Sequence, residues 1–221
     1  MIVHECKQYS PEWWSVRRGI PTSSEASRII TPKKAELSGQ VDSYACDLIA
    51  EKFDAYYGQQ EEYVSAAMKN GTIKEPESRR FYEFHRDVEV TEVGFVTTDD
   101  GRFGCSPDSL VGLDGGLELK NPAVSTHIRY LLDGGLPAKY KPQVHWCLVV
   151  TGREWWDFCS YSGGLPPVLV RVTPDDYTDK LRECMEKFWT RYQELLAKVM
   201  AQRERAIDDA IARQPVEESY F

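Results

Sequence analysis

No stretch of this sequence approaches the roughly 18 uncharged apolar residues that a membrane-spanning helix needs. The opening segment, MIVHECKQYSPEWW, has an acidic residue early and no continuous apolar core, so it does not read as a signal peptide. Internal repeats and low-complexity tracts are missing too. Collagen, disorder and an integral membrane protein are thereby excluded, and a soluble cytoplasmic protein is expected. No C-x-x-C pair occurs among Cys6, Cys46, Cys105, Cys147, Cys159 and Cys184. Zinc sites usually draw on closely spaced pairs and disulfide scaffolds are short and secreted, so reduced, mostly buried thiols are expected.

Basic charge is in short supply. Lys and Arg number 27 against 35 Asp and Glu, a net charge of −8, so the protein should not coat itself non-specifically with nucleic acid. The distribution is uneven. Residues 17–34 hold Arg17, Arg18, Arg28, Lys33 and Lys34 against Glu25 alone, whereas residues 35–100 hold 6 basic and 15 acidic side chains. Any grip on a polyanion must be local, through that basic stripe or through bound cations. With 221 residues, 42% of them hydrophobic, there is material for a sizeable core, and no convincing linker divides the chain. One domain over 1–221 is expected, with a motif-bearing core at about 10–173 and a helical tail at about 175–213.

Ser10 followed by Pro11 marks the cap and first turn of a short helix, and Thr22-Ser23-Ser24 marks a second start. Apolar spacing predicts helices over 42–57, over 61–86 with an interruption near Gly71 and Pro76, over 123–133 and 138–150, and in the tail. From Asp87 the texture turns to β-branched residues. VEVTEVGFVTT, FGCSPDSLVG and GGLELK read as three successive strands, the last two joined by a tight LDGG turn, and WWDFCSY and PVLVRV as two more. Helices flanking one central mixed sheet make the fold class α/β.

The segment CSPDSLVGLDGGLELK carries the chemistry. Strand alternation sends Glu118 and Lys120 to one face and Leu119 to the other. If LDGG folds the strand back on its predecessor, Asp108 comes close to Glu118, and two carboxylates and an ammonium converge. With a main-chain carbonyl such as that of Leu119, the acids make a hard oxygen site suited to Mg²⁺ or Mn²⁺. Such an ion polarises a phosphodiester and acidifies water, and the lysine orients that water or stabilises charge developing on phosphorus. A charged pair on a mostly apolar, interior-type strand needs a reason of this kind.

This segment resembles the signature of the PD-(D/E)xK nuclease superfamily, with its restriction-endonuclease-like core. CSPDSL and GLELKNP are similar to the phage lambda exonuclease, or YqaJ-like viral recombinase, family. WWSVRRGIPTSSEAS, NGTIKEPESRRFYE and YKPQVHWCLVVTG resemble, in order, that family's tryptophan–arginine–glycine–serine segment, its glycine-then-glutamate helix and its glutamine-bearing helix. The likeness spans about residues 10–160 and leaves the tail unmatched. It implies Asp108 and Glu118 as principal metal ligands with the Leu119 carbonyl, and Lys120 as the catalytic lysine. Glu75 would assist a second metal, directly or through water, and Gln143 would stand near the attacking water. Arg17, Ser24 and Ser106 would hold a terminal 5′ phosphate, with Lys34 where the family has an arginine. Trp13 joins the DNA-contacting set, although one of Trp13 and Trp14 is expected in the core. Two positions depart from the family: His145 replaces a glutamine, so it is not expected to act directly, and Asn121 replaces a cysteine.

The resemblance implies a phage- or prophage-encoded enzyme of the bacterial cytoplasm that degrades one strand of linear duplex DNA processively from 5′ to 3′. It would release 5′-mononucleotides and leave 3′ single-stranded tails. Mg²⁺ would be the cofactor, replaceable by Mn²⁺, with two ions per site. The partners implied are duplex DNA ends, two further copies of the chain in a homotrimeric ring, and a single-strand annealing protein, with no membrane. The alternatives are an endonuclease of the same superfamily, an iron–sulfur-cluster nuclease, and a catalytically silent DNA-end-binding protein. The scattered cysteines argue against the cluster, and the presence of both acids and the lysine argues against silence.

Overall fold

Ser10 and Pro11 start the first helix as their chemistry dictates. The Ser10 hydroxyl accepts the Trp13 N–H at 3.3 Å, and proline occupies the first turn, where a backbone donor would have no partner. The computed structural model describes residues 1–55, Tyr57 and 66–213, the side chains of 66–72 excepted. In chain order it contains β1 (Ile2–His4), α1 (Pro11–Arg17), α2 (Val41–Phe53), α3 (Ala66–Arg86), β2 (Val90–Thr91), β3 (Phe95–Thr97), β4 (Gly104–Cys105), β5 (Ser109–Val111) and β6 (Gly115–Lys120). There follow α4 (Val124–Asp133), α5 (Lys141–Thr151), β7 (Trp155–Ser160), β8 (Val168–Val172) and α6 (Asp176–Ala212), with 3-10 turns at Ser23–Arg28 and Ala138–Tyr140. Residues 61–65 of the helix expected over 61–86, and residues 56 and 58–65 generally, lie outside the described part.

A five-stranded mixed sheet, in the order β2-β5-β6-β7-β8, forms the centre. Only β6 and β7 run parallel. The expected central mixed sheet with flanking helices is thus present, with one difference. Two of the expected strands are each broken in two, and β3 and β4 leave to form a second, three-stranded sheet with β1. The break in the first falls at Gly94, where the backbone passes so close to Cys6 that a Cβ would stand 1.9 Å from its carbonyl oxygen. The break in the second falls at Ser106-Pro107-Asp108, where proline cannot donate to a ladder.

The helix through Pro76 also differs from expectation, since α3 runs on without interruption. Pro76 is on its exposed side, and the turn absorbs the loss of one backbone donor. The main core lies between the sheets, α5, α2 and α6, with Trp146, Leu48, Trp156 and Phe188 buried in it. A smaller cluster around Tyr82 and Leu117 lies beneath α3. No helix among the described residues is long and apolar enough to cross a membrane.

Candidate active site

As an inner strand, β6 is covered on both faces, and its side chains alternate between them. Leu117 and Leu119 pack with Tyr82 of α3. Glu118 faces α5 instead, where the Gln143 amide donates to its Oε1 at 2.7 Å. The Lys120 ammonium reaches the same oxygen at 2.5 Å and lies 5.4 Å from the centre of the Tyr140 ring. The hairpin pairs Ser109 with Leu117, which sets Asp108 beside Glu118 just before β5 begins. Asp108 Oδ2 accepts the Leu119 N–H at 2.6 Å. Within a strand the N–H and C=O of one residue point to the same neighbour, so the Leu119 carbonyl also faces the Asp108 side.

On α3, Glu75, Ser78, Arg79 and Tyr82 share one helical face. Arg79 donates to Glu75 Oε1 at 2.5 Å, to the Asp108 carbonyl at 3.1 Å and to Ser109 Oγ at 3.0 Å, and it pairs with Glu92 at 3.1 Å. Glu75 therefore stands at the rim, drawn toward Arg79. Among the described residues no three His, Cys, Asp or Glu side chains are gathered closely enough to hold an ion. Asp108, Glu118 and the Leu119 carbonyl thus meet on one side of β6, and Glu75 stands across from them beside Arg79.

Burial sets the electrostatics. Glu118 is 2% exposed, and desolvation, aided by Asp108 and Glu75 and opposed by Lys120, pushes its pKa up to about 7. Burial also raises Asp108, against the pull of Lys120, the Leu119 N–H and Arg79. Burial alone would lower Lys120, but the Glu118 and Asp108 carboxylates outweigh it and hold the ammonium in its charged form. Glu118 Oε2 is buried with no hydrogen-bond partner among the described residues. An unpartnered carboxylate oxygen in such a place is costly, and a divalent cation would satisfy it. Two carboxylates and a carbonyl suit Mg²⁺ or Mn²⁺, which commonly complete their shells with water and substrate phosphate oxygens.

Beside this cluster α1 builds a cationic shelf. The Trp13 indole N–H donates to the Gly94 carbonyl and to Ser106 Oγ, both at 3.0 Å. The Arg17 guanidinium lies 4.0 Å from the centre of the Trp13 ring and reaches Ser106 Oγ at 3.4 Å, while its buried Nε has no partner among the described residues. A model of the YqaJ-like viral recombinase domain matches residues 12–154, a span that holds every one of these groups. The chain belongs to the YqaJ-like viral recombinase family.

No curated protein matches this YqaJ-like chain. Among solved structures, it is similar to LHK-Exo, an alkaline exonuclease from Laribacter hongkongensis, with a TM-score of 0.77 and 28% identity over 89% of this chain and 100% of that one. LHK-Exo in complex with dAMP matches equally well. A phage-related exonuclease from Haemophilus somnus 129PT, at 13% identity with 81% of this chain and 96% of that one covered, has a TM-score of 0.62 and speaks for the fold alone.

Several expected site residues of the YqaJ-like chain stand apart. Trp13, expected beside DNA, is 4% exposed with its N–H engaged, so it supports Arg17 from below and has no face to offer a base. The Ser24 hydroxyl pairs with Thr22 at 3.2 Å, not with Arg17 or Ser106. Lys34 is exposed on the turn after Ile30 and contacts none of the acids. The basic stripe is thinner than its charge count, because Arg28 is paired with Asp47 at 2.6 Å and Arg18 donates to the Glu51 and Asp54 carbonyls at the end of α2. His145 is turned away from the cluster, its Nδ1 2.8 Å from Thr178 Oγ1 on α6. Sequence reasoning missed Arg79, although its spacing of four from Glu75 was a usable signal for a helical ion pair. It also missed Tyr9, which no pattern marks.

Proposed function

We propose that this protein is a divalent-metal-dependent DNA exonuclease. The observation that carries the reading is the meeting of Asp108, Glu118, Lys120 and Gln143 around a buried, unpartnered Glu118 oxygen. One similar protein, LHK-Exo, is named as an alkaline exonuclease and is described in complex with dAMP, a deoxynucleoside monophosphate of the product class. A cation held by Asp108, Glu118 and the Leu119 carbonyl supplies Lewis-acid charge beside the scissile phosphate.

The chain's own groups do the rest. Gln143 and Lys120 fix the Glu118 carboxylate from two sides, and the Leu119 N–H fixes Asp108. The Lys120 ammonium orients the attacking water and neutralises charge that grows on the phosphate oxygens. Arg17, resting on Trp13 and steadied by Ser106, binds a phosphate next to the one cleaved. That local grip offsets a net charge of −8.

The finer reading is digestion of one strand processively from 5′ to 3′, in Mg²⁺ or Mn²⁺ with two ions at work, to 5′-mononucleotides and a 3′ tail. A homotrimeric ring around DNA and a single-strand annealing partner complete it, with the whole chain as one nuclease domain of a phage or prophage. The test is a time course on linear duplex labelled separately at each 5′ and 3′ end, beside a closed circle. Early release of 5′ label in Mg²⁺ only, with the circle intact, is expected. Loss of the circle favours the endonuclease, and release without metal overturns the scheme. Sedimentation of the full chain checks the trimer.

A further inference from the structure

Tyr9 has left-handed backbone geometry, φ +68°, a region that side-chain-bearing residues enter at a cost. Its neighbours enforce it. The Gln8 amide donates to the Val93 carbonyl at 3.2 Å and the Pro107 carbonyl at 3.0 Å, and Ser10 begins α1. Strain of this kind persists where the surroundings over-determine it, and it gathers at ligand clamps. What the geometry achieves here is to hold a large aromatic ring out of the core, 60% exposed. The ring stands at the wall of a cleft of about 610 Å³ that Tyr9 and Gln8 share with Glu75, Arg79 and Asp108, a volume in the range of small-molecule sites. Its inner edge rests against Trp13, ring centres 5.1 Å apart and planes at 42°, and Trp13 in turn carries Arg17.

We propose that Tyr9 is the platform on which the base of the nucleotide being excised stacks, so that one indole braces both the base contact and the phosphate contact. The inference rests on the exonuclease reading and adds to it how the end nucleotide is held. The ring shares the cleft wall with Glu75 and Asp108, the acid that pairs with the Leu119 N–H. Stacking suits an enzyme that must accept every base, since each base presents a π face and no hydrogen-bond pattern is read.

The test pairs two deletions, the tyrosine ring and the base. Kinetics are measured on duplex ends whose terminal nucleotide at the digested end carries adenine or is abasic, for the parent, Tyr9→Gly and Tyr9→Phe. Tyr9→Gly should lose roughly 5- to 100-fold in kcat/KM on the adenine end, mostly through KM, and nothing further when the base is removed. Tyr9→Phe should stay near the parent. Glycine accepts the left-handed geometry freely, so a Tm at or above the parent's removes misfolding as the explanation. Independently of turnover, 2-aminopurine at the terminal position should be quenched by Lys120→Ala protein and not by the Lys120→Ala/Tyr9→Gly double variant. Equal penalties for base removal in parent and Tyr9→Gly overturn the platform, as does a Tyr9→Phe loss equal to that of Tyr9→Gly. A parent inert on every end in Mg²⁺ overturns the exonuclease reading itself, which is a different result.

Discussion

At the residue scale, Glu118 shows how a buried acid is kept usable. One of its oxygens takes two donors, Gln143 and Lys120, and the other is left without any among the described residues. Lys120 can be removed without removing the carboxylates, so Lys120→Ala should still bind duplex ends but cleave roughly 100- to 10,000-fold more slowly. Binding by fluorescence anisotropy and single-turnover cleavage separate the two effects, and unchanged cleavage would take lysine out of the mechanism. Arg17→Ala should slow digestion of 5′-phosphorylated ends by roughly 10-fold or more, as expected for a lost charge-assisted contact, and leave 5′-hydroxyl ends nearly as before. Equal slowing on both ends contradicts a phosphate pocket. The acids and the lysine were legible in the sequence because strand alternation and motif spacing are local properties, whereas Gln143, on α5, came only through the family resemblance. The role of Trp13 was not legible. Whether an indole meets DNA or the core depends on Gly94 and Ser106, which lie 81 and 93 residues further along the chain.

At the scale of elements, the site depends on two joints. The first is the β5–β6 hairpin, which rests on β7 at Gly116, where a Cβ would stand 2.2 Å from the Trp156 ring. Trp156 is fully buried and has no room to retreat. Gly116→Ala should therefore cost about 1–3 kcal/mol in urea unfolding, the range for overpacking, and slow cleavage although every site residue is retained. The second joint is α5 on α6. Burial drives the His145 pKa down to about 4, and its neutral ring meets Thr178 inside a capping box set by Asp175. An unfolded histidine titrates near 6.5, so between about pH 6.5 and pH 4 the unfolded chain takes up a proton that the folded chain refuses. Stability present above the unfolded value is lost as pH falls through that window, by up to about 3 kcal/mol. In His145→Asn the slope of unfolding free energy against pH should flatten there, and an unchanged slope assigns the acid sensitivity elsewhere. The Ser10 cap and most helices could be read from sequence, but the start expected at Thr22-Ser23-Ser24 is a 3-10 turn in which no side chain caps. The break of the first β-rich stretch at Gly94 could not be read from sequence, because it follows from a close approach to Cys6, a contact made only in three dimensions.

At the scale of the molecule, the net charge is −8, and the proposed metal site adds buried carboxylates that a cation would neutralise. Ligand binding to the folded state alone raises its stability by mass action, about 2.7 kcal/mol at a concentration 100 times Kd. Mg²⁺ should accordingly raise the melting temperature of the parent, and EDTA should reverse the shift. Glu118→Gln should show neither response, since the amide lacks the charge that draws the ion. The same upward shift in Glu118→Gln would place the stabilising ion at another site.

The sequence by itself determined the Ser10–Pro11 helix start, the interior character of β6, the facing of Glu118 and Lys120, and the family, because each is written in adjacent residues or in their period. Tertiary structure alone decided which cations remain available, that Glu75 answers to Arg79, that Trp13 is a support, and that Tyr9 stands over the cleft. Those outcomes turn on burial and on contacts between segments tens of residues apart, where desolvation and packing, with no trace in local pattern, choose each side chain's partner.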